Sequence, residues 1–260
     1  MFTIATGNKK SFKQLNHERL RNREYTSSYL NKKRDRLELP NSYPKTRLIL
    51  IKDFFRSHDL YKAILFFFSA QIIIATIAAG ARFPTYAGAM NILAIIMGIV
   101  VIIISVKTIN GRQRGDATRR RFKLGRVLLT VTAMVVALFV MTNLYRLLGI
   151  KMVEQPNQVS LDSLVGLFPV AMFFTVVIIS PIVEEIVFRE LLPYATGPSY
   201  LSFGIASLIF VALHAPFGLM GWTSYGILAV GFTYARLKDN NLYSSIAVHI
   251  IWNCLTILVM

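Results

Sequence analysis

Six polar side chains in the apolar part of this chain could do chemistry. Glu184, Glu185 and Arg189 lie in Ser180-Pro-Ile-Val-Glu-Glu-Ile-Val-Phe-Arg-Glu190, His214 ends Phe210-Val-Ala-Leu-His214, and His249 and Asn253 frame His249-Ile-Ile-Trp-Asn253. Ionisable groups at membrane depth are costly and persist where they face protein or a wet cavity, so they read as functional. On a helix Glu185 and Arg189 are i and i+4, with the acid first, and neutralise each other on one face. Glu184 points about 100° away and has no partner within its own turn. This spacing makes Glu185 and Arg189 a structural pair and leaves Glu184 as the working carboxylate. His249 and Asn253 are again i and i+4 and project from one face. For each histidine taken alone, the bland reading is a hydrogen-bonding group between membrane helices.

The elements that must position these groups are membrane spans. The chain has 260 residues, 54% of them hydrophobic, with a mean hydropathy of +0.52. That is too apolar for an ordinary soluble domain, and the expected fold is all-α, a polytopic membrane helix bundle. Runs of roughly 20 apolar residues mark the spans. They fall at about 60–81, 86–106, 127–149, 164–194, 200–216, 219–236 and 242–260, about seven transmembrane helices. The domain reading is a basic cytosolic and interfacial segment at 1–58 and a transmembrane bundle at 59–260, with the motifs at 165–257.

The net charge of +16 is unevenly distributed: 14 Lys/Arg against 6 Asp/Glu in residues 1–59, and 8 Lys/Arg beside Asp116 alone in 107–126. Next to membrane spans, such runs mark cytosolic loops rather than a nucleic-acid surface. The chain is therefore expected in the cell membrane, multi-pass, with a cytosolic N-terminus and the lipid bilayer rather than nucleic acid as its surroundings. His17 and His58 read as surface histidines, and Cys254, the single cysteine, as a small core residue without disulfide or metal role. The first 47 residues contain no apolar run of signal-peptide length.

Depth brings the candidates together. Counted from the nearest cytosolic helix end, Glu184 lies about 15 Å deep, His214 about 20 Å, His249 about 11 Å and Asn253 about 17 Å. Four polar groups from three helices thus share the cytosolic half of the bilayer.

The three motifs resemble, in order, the EExxxR, FxxxH and HxxxN motifs of the CPBP family (CAAX proteases and bacteriocin-processing enzymes, also called Abi), a group of intramembrane endopeptidases. The stretch Gly231-Phe-Thr-Tyr-Ala-Arg-Leu-Lys-Asp-Asn-Asn-Leu-Tyr243 resembles the family's approach to its last motif. The resemblance covers about 165–257. One departure is Glu190, where the family commonly has Gly.

The resemblance implies hydrolysis of a peptide bond in a membrane-associated or lipidated, CAAX-type substrate. Glu184 would then be the general base and His214 would hold and polarise the same water. His249 and Asn253 would donate to the tetrahedral oxyanion, and Glu185 with Arg189 would give structural support. The favoured mechanism uses no metal. The alternative is Zn²⁺ held by Glu184, His214 and His249 with water in an open position. Two other functions compete: a non-enzymatic bacteriocin self-immunity or peptide-binding protein, and a small transporter, which inverted repeats would support.

Overall fold

The computed structural model describes residues 54–55, 57–113, 122–151, 153–195 and 197–259. The basic tail, most of the interfacial segment at 48–58, and the core of the 107–126 loop lie outside them. All the regular elements among the described residues are helical, and they form an all-α membrane helix bundle.

Helix α1 is His58–Arg82. Ser57 caps it by accepting from the Asp59 N–H, and Asp59 adds a favourable charge to the first turn. A short turn, Pro84–Tyr86, reverses the chain into α2, Ala87–Gln113. Helix α3 is Leu124–Leu147 and α4 is Pro156–Leu167. The fourth expected span does not begin at 164. Phe168 stops α4 and Pro169 opens a new helix, because proline is well placed in a first turn but breaks the ladder of a preceding one. Helix α5 runs Pro169–Ala195, α6 Tyr200–Leu213, α7 Gly218–Asp239 and α8 Leu242–Val259.

Four of these helices are long and apolar enough to cross a membrane: α1, α2, α3 and α5. Helices α6 and α8 are apolar but shorter, and α7, with 22 residues, is long enough but less apolar. Helix α5 is central. In its most apolar window 56% of residues are buried, against 17% in α2. It packs on α1, α2, α6 and α8, while α7 packs on α3, α6 and α8. The outer faces carry large apolar side chains such as Leu65, Phe139, Val170 and Leu208, as a lipid-facing surface requires. Between helices in lipid, close packing and polar contacts replace the hydrophobic drive. Gly98 illustrates the first: a side chain there would collide with Ile179 of α5.

Two segments of α5 are widened to π geometry, Phe174–Ile179 and Val187–Leu191, on either side of the two glutamates. Such bulges change the rotation of whatever follows and are frequent at functional sites.

Candidate active site

The site is built from the centre of α5 outward. Glu185 and Arg189 are fully buried, with Arg189 Nη1 3.5 Å from Glu185 Oε1. The same Glu185 oxygen lies 2.9 Å from His249 Nδ1 on α8. A carboxylate can only accept there, so Nδ1 carries the proton and the ring is held in one orientation. That orientation turns His249 Nε2 toward Glu184 Oε2, at 3.7 Å, beyond a hydrogen bond but within ion-pair range. Glu184 is the more open of the two acids, its side chain 25% exposed against 0% for Glu185. The i, i+4 spacing predicts the Glu185–Arg189 ion pair, and the hydrogen bond from His249 to the same carboxylate joins the first and third motifs.

An aromatic layer supports this cluster. The His249 ring stacks on Phe232 of α7, centroids 4.1 Å apart at 18°. The Arg189 guanidinium sits 4.4 Å from the Phe210 centroid and 5.5 Å from that of Phe232, within cation–π range. Phe210 also meets His214, centroids 4.4 Å apart, and His249 at 6.1 Å. The phenylalanine of the second motif is thus the wall shared by both histidines.

His214 occupies the turn that ends α6. Its Nδ1 donates to the Phe210 carbonyl at 2.7 Å, and its ring packs on Tyr225 of α7 at 4.7 Å. Since a carbonyl only accepts, Nδ1 carries the hydrogen in the neutral ring and Nε2 keeps a lone pair.

Asn253 has a partner that Pro181 explains. In the first widened segment the Ser180 N–H bonds to the Thr175 carbonyl, five residues back. The next N–H in that register would serve Val176, but residue 181 is proline and has none. The Asn253 side-chain amide donates to the Val176 carbonyl instead, at 2.9 Å. One of its two N–H groups is therefore committed to holding α8 against α5.

The structure thus brings Glu184, Glu185, Arg189 and His249 into one cluster, links His214 to it through Phe210, and places Asn253 one turn further along α8. Among the described residues no three His, Cys, Asp or Glu side chains converge as metal ligands. A cavity of about 200 Å³, lined by Leu192, Ser199, Ser202, Ile205 and Ile209 among others, lies where α5 turns into α6 and contains none of the candidate residues.

Glu190 has its own setting. It is 5% exposed, and one oxygen accepts from Arg112 Nε at 3.0 Å and the other from Arg236 Nη2 at 2.8 Å. Arg112 also makes a two-pronged bond to Asp59, at 2.7 and 3.2 Å. The residue that departs from the family pattern therefore ties α5 to α1, α2 and α7. Close by, Asp239 pairs with Arg126 of α3 and accepts from Ser244 at 2.7 Å.

Residues 166–255, which contain all six candidate residues, match the family described as type II CAAX prenyl endopeptidase Rce1-like. This part of the chain is similar to that family, which lies within the CPBP group. A further similarity is to the UPF0177 protein YvdC of Lactococcus lactis subsp. lactis (strain IL1403), 33% identical over 101 residues. That stretch is 37% of this chain and 38% of the relative, so the chain spans under two fifths of the curated protein it matches. No solved structure matches.

Proposed function

We propose that the chain is an intramembrane endopeptidase of the CAAX-processing type, with Glu184 activating water. The observation that carries this reading is the cluster Glu184–His249–Glu185–Arg189, packed inside a membrane bundle and contained in a family-matched segment. Buried charge must balance. With both glutamates ionised, Arg189 leaves one negative charge over, and a proton on His249 cancels it. Glu185 and His249 then act as in other carboxylate–histidine pairs, where the acid orients the ring and stabilises its charged form.

In the proposed reaction Glu184 takes one proton from water while His214 Nε2 accepts a hydrogen bond from the O–H that the water keeps. The water oxygen attacks the peptide carbonyl carbon. His249 Nε2–H and the second Asn253 amide hydrogen donate to the oxyanion. The carbon–nitrogen bond breaks as Glu184 passes its proton to the leaving amine. The substrate is a membrane-associated or lipidated peptide. The basic N-terminal tail and the 107–126 loop argue for a cytosolic N-terminus in the cell membrane and for entry from the cytosolic leaflet.

The test is release of fluorescence from a quenched peptide by purified full-length protein, with and without a chelator. The expected result is cleavage that survives the chelator and is lost in Glu184→Ala. Undiminished cleavage in Glu184→Ala would overturn the reading. Loss of cleavage with chelator, restored by added zinc, would overturn the metal-free mechanism.

A further inference from the structure

The turn that carries His214 is held from outside the family-matched segment. After His214 the chain passes through Ala215, at φ +46°, then Pro216, then Phe217, which opens α7. A non-glycine residue in the left-handed region is strained and persists only where its surroundings over-determine it. A proline next in sequence narrows the choices of Ala215 further. Phe217 has no side-chain cap for the new helix.

Gln155, just before α4, supplies the constraint. Its Oε1 accepts from the Phe217 N–H at 2.9 Å, and its Nε2 donates to the Phe217 carbonyl at 3.3 Å. The same Nε2 donates to the Val153 carbonyl at 3.1 Å, which fixes the glutamine on its own loop. Room for the clasp comes from Gly221, one turn into α7, where any β-carbon would run into the Gln155 amide. Helix α7 in turn supplies Tyr225, which packs on the His214 ring.

We propose that Gln155 is a positioning residue for His214: its two-point clasp on Phe217 holds the strained turn and the start of α7, and so fixes the ring between Phe210 and Tyr225. Its part in catalysis rests on the function proposed above. The clasp itself does not.

Two variants of the full-length protein test it. Gln155→Met keeps the volume and removes both hydrogen bonds, while Gly221→Ala leaves Gln155 in place and pushes its amide away. The first readout is the rate at which diethyl pyrocarbonate modifies His214, followed by peptide mass spectrometry with His249 as internal control. Both variants are expected to change the His214 rate severalfold and leave His249 as it was. Combining them should add little, because they break one interaction. The second readout is peptide cleavage, where kcat is expected to fall about tenfold with KM little changed. Wild-type His214 reactivity in either melting-competent variant would overturn the clasp. Altered reactivity with unchanged kcat would overturn its catalytic part. A wild-type protein that cleaves no peptide would count against the protease reading, and the labelling would still decide the clasp.

Discussion

The two histidines of the site are held in opposite ways. His249 lies in the middle of α8, 4% exposed, stacked on Phe232 and hydrogen-bonded to Glu185, which is itself ion-paired with Arg189. Every one of those partners falls within the family-matched segment. His214 sits half-buried on a helix-ending turn, bonded to its own preceding carbonyl, with Gln155 securing the turn from outside that segment. The difference teaches where precision comes from. A buried ring is oriented by charge balance and packing, which few alternatives satisfy. A ring on a turn is oriented by backbone conformation, which has to be pinned. Phe210 touches both and keeps the two mechanisms in register.

Removing the charge beneath His249 should have the largest effect on the fold. Arg189→Met leaves Glu185 buried with only His249 to balance it, and breaking a buried pair costs about 3–5 kcal/mol. Denaturant unfolding in detergent should show that loss, with diethyl pyrocarbonate reactivity rising at His249 more than at His214. A smaller loss is expected at the α1–α2–α5–α7 clamp. Glu190→Gly, which introduces the commoner family residue, removes the carboxylate between Arg112, which keeps Asp59, and Arg236, which keeps Asn240, and should cost about 1–3 kcal/mol. If the clamp only ties helices together, kcat measured well below the melting temperature should stay within about twofold. A tenfold fall would show that the second widened turn transmits to Arg189. The mildest change is Phe232→Leu, which keeps an apolar surface and removes the stack. It should lower stability by about 1 kcal/mol and loosen His249 without touching the His214 turn, a selectivity the same labelling can read.

Much of this was legible in the sequence, and the rest was hidden for identifiable reasons. Apolar run length gives the long spans, and the i, i+4 spacings single out the polar side chains that the fold gathers around α5, because helix periodicity is local. The break at Phe168–Pro169 was masked because the apolar run continues straight across it. Glu185's bond to His249 joins residues 64 apart, and no local pattern encodes it. Pro181 was visible as a possible break in the helix. Its actual consequence is an unserved Val176 carbonyl, claimed by Asn253 77 residues later, which depends on the widened ladder. Glu190 stood out only as a departure, and its partners Arg112 and Arg236 come from elements whose contacts lie beyond sequence spacing. Gln155 carried no signal at all, being one polar residue in a loop.

The central claim is the division of labour between adjacent glutamates: Glu184 does chemistry, and Glu185 holds His249 and Arg189. It is tested most directly by kcat and melting temperature measured together on purified Glu184→Gln and Glu185→Gln. Glu184→Gln removes a base at the more open position and should cost about 10³-fold in kcat with a melting temperature near that of the wild type. Glu185→Gln leaves Arg189 without its counter-charge in the bundle and should lower the melting temperature markedly, by the equivalent of about 3 kcal/mol. Substantial activity in Glu184→Gln, or a Glu185→Gln protein as stable as the wild type, would contradict the account.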